Sequence, residues 1–191
     1  RIPLTNLIGT EGIGYFQPAY QVYNLLLVIS LAGFPTAVAR LVSEKMALEN
    51  PQGAHQIFRL SMRVILVVSV VSSLTVLIFA KTIAQAIGYP GTYYSLLGLV
   101  PALMIVPIMS VYRGYFQGMQ NMMPTALSQV LEQLVRFAVG LSLAYVLAAS
   151  SLQKAAGGAS FGASAGGIAG FIFILFIYSR HRKTIYDRID N

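Results

Sequence analysis

The chain has 191 residues, of which 56% are hydrophobic and only 10% charged, with a formal net charge of +7. Soluble domains carry roughly 25% charged residues, so this composition excludes an ordinary soluble protein and leaves a membrane protein. With no cysteine, disulfides and cysteine-ligated metals are also excluded, and with basic residues gathered in loops the positive balance reads as membrane orientation rather than nucleic-acid binding.

A membrane-spanning helix needs about 20 mostly apolar residues. Five segments qualify, at about 20–39, 64–80 (extending toward Gly88), 93–112, 124–149 and 157–179. The fold class is therefore all-α, a polytopic transmembrane helix bundle of five spans. The loops are polar or turn-forming: SEKMALENPQGAH (43–55), GYPG (88–91) and SLQKAAGG (151–158). With no Trp, an interfacial aromatic belt must use Tyr15, Tyr20, Tyr89, Tyr93, Tyr94, Tyr112, Tyr115 and Tyr178. If the first span enters from outside, the inner side holds Arg40, Lys45, Arg59, Arg63, Arg113, Arg180, Arg182, Lys183 and Arg188. The outer side holds only Arg1, Lys81 and Lys154, and the C-terminus is cytoplasmic. The chain opens at Arg1 rather than Met and is read as a fragment.

The first span carries Pro35, and the third carries Pro101 and Pro107, which kink helices by removing a backbone hydrogen bond. Arg40 and Glu44, four apart, read as a solvated interfacial pair; Asn6 and Glu11 lie outside, and His55 and His181 read as solvated. At the end of the third span Arg113 is either an interface anchor or a phosphate contact, because a guanidinium fork suits phosphate oxygens. Gly114 and Gly118 form a small-xxx-small spacing that permits close helix approach.

The fourth span contains the main candidates. Glu132 and Arg136 sit one helical turn apart, about 18 Å into the helix for Arg136, too deep for easy snorkelling. Gln129 and Gln133 flank them. Charges at that depth usually face a protein interior or a water-filled cavity and mark function, although a structural ion pair is the competing reading. The fifth span shows Gly158, Gly162, Gly166 and Gly170, a helix-packing surface. No metal-ligand spacing, nucleophile triad or phosphate loop occurs, so no enzyme chemistry and no cofactor is expected.

Two stretches, GTEGIGYFQPAYQVYNLLLVISLAGFPTAVARLVSEK (9–45) and YRGYFQGMQNMMPTALSQVLEQLVR (112–136), resemble the stage V sporulation protein B branch of polysaccharide and lipid II flippases, within the multidrug/oligosaccharidyl-lipid/polysaccharide exporter superfamily. The second carries the run RG-x-FQG-x-x-x-M-x-PTA-x-SQ-x-x-E-x-x-x-R. The resemblance implies two six-helix lobes around a cationic cavity working by alternating access. This chain would supply helices two to six of the N-terminal lobe, with the first helix and the C-terminal lobe absent. It implies a lipid-linked sugar diphosphate as substrate, contact with membrane lipids and a bacterial plasma-membrane location, with coupling to an ion gradient or the membrane potential. Lipid II flippases of Gram-negative bacteria carry arginines in the second helix, whereas LLLVISLAG (25–33) has no charge here. The cavity candidates are therefore Arg136, Glu132, Gln129, Gln133 and Arg113. The alternative is a multidrug or cation antiporter with Glu132 as its coupling site; a non-transporting scaffold is a third.

Overall fold

The computed structural model describes residues 2–31 and 33–190, with side chains described for 9–29 and 33–180. Asn6, His181, Arg182, Lys183 and Arg188 thus fall outside the described side chains, and Arg1 outside the described residues. Six helices follow one another: α1 (Ile2–Leu31), α2 (Phe34–Ala47), α3 (Pro51–Ala86), α4 (Thr92–Gly118), α5 (Met123–Ala148) and α6 (Leu152–Asp190). Among the described residues there is no strand, and five helical stretches are long and apolar enough to cross a membrane, α1 and α2 sharing one of them.

The helices run well past their apolar centres. α3 covers 36 residues, about 54 Å at the α-helical rise, against roughly 30 Å for a bilayer core. Its charged first turns, with Arg59 and Arg63, belong to the same rod as the apolar stretch from Val64. The polar stretch 43–55 is accordingly mostly helical. α2 continues to Ala47, and the turn needs only 48–50, where Asn50 caps α3 by accepting from Gly53 N–H at 2.8 Å and Pro51 opens the helix. Likewise α6 starts at Leu152, so 151–158 is not a loop. Pro124 sits in the first turn of α5.

The first span is where local chemistry departs most from a simple helix. Gly33, at φ 69°, breaks it, and Pro35 stands in the first turn of α2 rather than inside a helix. Pro35 therefore ends up starting a helix, while Pro101 and Pro107 do lie within α4, and Pro18 within α1.

α6 is the axis of the bundle, packed along α5 and α4, with α3 and α2 on the far side of α4. Glycines allow this. A Cβ on Gly162 would lie 2.6 Å from Cα of Gly140 and 2.7 Å from the Arg136 carbonyl; one on Gly166 would lie 2.5 Å from the Glu132 carbonyl. Gly158 faces Leu143 and Leu147, and Gly170 faces Met109 of α4 and Ser128 of α5. Gly114 and Gly118 bring α4 onto α2, against the carbonyls of Pro35 and Ala39.

Near the end of the bundle that holds Asn50 and Asn121, aromatic rings form a second anchor. Phe58 contacts Tyr112, Tyr115 and Tyr178 with ring centroids 4.7–5.5 Å apart. Tyr115 is buried there, so Tyr112, Tyr115 and Tyr178 form a packed cluster between helices instead of an interfacial belt. His55 is buried in α3, stacked on Phe58 at 5.8 Å, and is not a solvated loop residue.

Candidate functional site

Backbone contact between α5 and α6 decides where the charges go. With Gly162 and Gly166 pressed on the carbonyls of Arg136 and Glu132, α5 cannot rotate without collision. The side chains of Glu132 and Arg136 then emerge beside α4 and α1.

Glu132 is buried and binds two arginines at once. Its Oε2 accepts from Nη2 of Arg113 at 2.9 Å, and its Oε1 accepts from Nη2 of Arg136 at 2.7 Å. These are short, charge-assisted contacts. Each arginine is also steadied elsewhere. Arg113 Nε donates to Ser128 Oγ at 3.0 Å, and that hydroxyl donates to the Thr125 carbonyl at 2.9 Å. Arg136 Nη1 donates to the Tyr20 hydroxyl of α1 at 3.2 Å. The cluster thus joins α1, α4 and α5, with α6 as its seat.

Two guanidinium cations against one carboxylate leave a formal surplus of one positive charge. The exposure is graded: the Glu132 side chain is 7% exposed, Arg113 13% and Arg136 25%. The carboxylate is deepest, and the cations retain accessible surface. Arg136 Nε is buried with no hydrogen-bond partner among the described residues. Such a site offers an incoming anion donors that the protein leaves partly unspent.

The candidates named from sequence divide clearly. Arg113, Glu132 and Arg136 come together. Gln129 and Gln133 are exposed on α5 and stay out of the cluster's hydrogen bonds. Arg113 is neither a simple interface anchor nor free, since it is tied to Glu132 from the neighbouring helix. Arg40 and Glu44 are both exposed, and no ion pair joins them among the described residues. Sequence reasoning missed Tyr20, which stood among the belt tyrosines, and Ser128. Ser128 could have been found, because it lies one turn before Glu132 on the same face of α5. Among the described residues no group of acidic, His or Cys side chains could hold a metal ion.

The polysaccharide biosynthesis protein family matches residues 1–190. Relatives include stage V sporulation protein B of Bacillus subtilis (strain 168), 34% identical over 189 residues, which are 98% of this chain and 36% of that protein. The lipid II flippase MurJ of the same organism is 33% identical over 194 residues, covering 95% of this chain and 36% of its own length. The uncharacterized membrane protein YabM, also from that organism, is 28% identical over 185 residues, covering 96% of this chain and 34% of its own length. The chain thus spans about a third of the length of these curated relatives. No solved structure matches it. With the family matched over nearly its whole length and five stretches able to cross a bilayer, the chain belongs to the polysaccharide biosynthesis protein family and is a multi-pass membrane protein.

Proposed function

We propose that this chain forms part of a flippase that carries a lipid-linked sugar diphosphate, such as a peptidoglycan precursor, across the bacterial plasma membrane by alternating access. The observation that carries the reading is the Arg113–Glu132–Arg136 cluster, a net cationic group packed between helices apolar enough to cross a membrane. A diphosphate is the anion such a surplus would attract, and a guanidinium fork matches its oxygens. Arg113 and Arg136 bind the phosphates; Glu132 holds both in place and limits the surplus so that the cargo can leave again. The exposed Gln129 and Gln133 offer hydrogen bonds to the sugar or headgroup. Kinship with a protein named lipid II flippase supports the cargo class. Arg40, Lys45, Arg59 and Arg63 cluster toward one end of the bundle, and the positive-inside tendency makes that end cytoplasmic. An ion gradient or the membrane potential supplies the energy.

A cation antiporter is less favoured, because both carboxylate oxygens of Glu132 are already engaged by arginines. A coupling cation would have to break two charge-assisted bonds to reach it.

The experiment places the full-length protein in Bacillus subtilis cells depleted of their own lipid II flippase and scores lipid II on the outer face. Wild type is expected to restore it and Arg136→Ala to lose it at equal protein level. A well-expressed wild type that restores nothing would reject lipid II as cargo.

A further inference from the structure

Pro101 breaks the hydrogen-bond ladder of α4, since it has no N–H to offer the Leu97 carbonyl. One residue further on, a side chain from another helix enters the same ladder. The Ser164 hydroxyl of α6 accepts from Ala102 N–H at 3.0 Å and donates to the Gly98 carbonyl at 2.6 Å. In an uninterrupted α-helix that N–H and that carbonyl bond to each other. Insertion of a side chain into the ladder is one of the few physical causes of a helix bend. Ser164 is fully buried, so bulk water cannot take its place. The close approach depends on Gly98, where a Cβ would stand 2.7 Å from the Gly157 carbonyl.

Ser164 lies on α6 between Gly162 and Gly166, the two glycines that seat Arg136 and Glu132 of α5. One short piece of α6 therefore holds the proline segment of α4 and the charged cluster of α5. Arg113 stands on α4 about 16 Å beyond Ala102, so whatever holds α4 at its proline segment also bears on how Arg113 meets Glu132.

Building on the transport reading above, we propose that Ser164 is a positioning residue that works as a removable rung in α4. With the rung in, the proline segment of α4 is held against α6 and Arg113 reaches Glu132. With the rung out, Ala102 N–H returns to the Gly98 carbonyl, and the Ser164 hydroxyl turns back to a carbonyl of its own helix. The exchange keeps polar groups paired in both states, which makes the two arrangements close in energy and α4 a two-state element. In the second state Arg113 withdraws from Glu132 and is released to the anion.

The test uses the full-length protein with any cysteine elsewhere removed; residues 1–191 contain none. Ser164→Ala is expected to retain yield and binding of a lipid-linked sugar diphosphate while its flipping rate falls about tenfold, the scale of one lost hydrogen bond in a rate-setting step. Ser164→Cys supplies a second reading that a purely structural role would not move. Its thiol is expected to react slowly with N-ethylmaleimide at rest and several-fold faster with substrate present. Wild-type flipping by Ser164→Ala overturns the proposal. So does a Cys variant that transports while its alkylation ignores substrate, and this second readout decides the matter if Ser164→Ala fails to fold. Failure of the transport reading looks different, since wild type itself would then flip nothing.

Discussion

The aromatic cluster around Phe58 and the charged cluster around Glu132 both tie helices together, and they do so in opposite ways. Phe58 touches four rings, those of His55, Tyr112, Tyr115 and Tyr178, and Tyr115 and Tyr178 also touch each other and Phe116, so contacts are redundant. Glu132 is a single acid serving two bases, and nothing else among the described residues ion-pairs with either. Redundant apolar packing degrades by degrees. An ion cluster with one shared counter-charge depends on that one acid: removing Glu132 leaves two uncompensated cations, a loss of about 3–5 kcal/mol, whereas removing one arginine leaves a balanced pair. Stability alone could be had from apolar packing at lower risk, and the proposed role in holding an anionic cargo would give the charges a use that packing does not.

Substitutions can break this contrast in turn. The largest effect is expected from Gly166→Leu, which drives a side chain into the Glu132 carbonyl and the Arg136 Cβ, 2.5 and 2.9 Å from where a Cβ would sit. Overpacking here costs at least about 3 kcal/mol and should abolish folded protein, read as loss of a monodisperse peak in detergent. Next comes Arg136→Ala, which should reduce flipping to background while most protein remains folded; parallel loss of both would return the cluster to a purely structural role. Phe58→Ala should cost about 3–5 kcal/mol of stability, seen as a lower melting temperature, with flipping per folded molecule unchanged. Smallest is Tyr20→Phe, which deletes one hydrogen bond to Arg136 worth about 0.5–1.5 kcal/mol and should slow flipping only a few-fold.

Much of the fold was legible because hydropathy and helical periodicity act within one segment. The five apolar stretches and the one-turn spacing of Glu132 and Arg136 are local patterns, and the glycine spacing in α6 is another. Helix ends were less legible: hydropathy marks where a helix meets lipid, and α3 and α6 continue beyond that limit. Gly33 followed by Pro35 was a readable break, but a long apolar run hid it. Partnerships between helices were not legible. No spacing on α4 announces that Arg113 meets Glu132, that Tyr20 reaches Arg136, or that Ser164 bridges Gly98 and Ala102. Those follow from how deeply α6 glycines let its neighbours approach, which is a property of the packed bundle.

The most direct test replaces Arg113, Glu132 and Arg136 together with Met, Leu and Met. This removes every charge in the cluster while leaving apolar side chains of similar length and no orphaned ion. Lipid II flipping would be measured at matched amounts of folded full-length protein. Loss of flipping by a stably folded triple variant is the expected result. Wild-type flipping by that variant would contradict the claim that these charges hold the cargo.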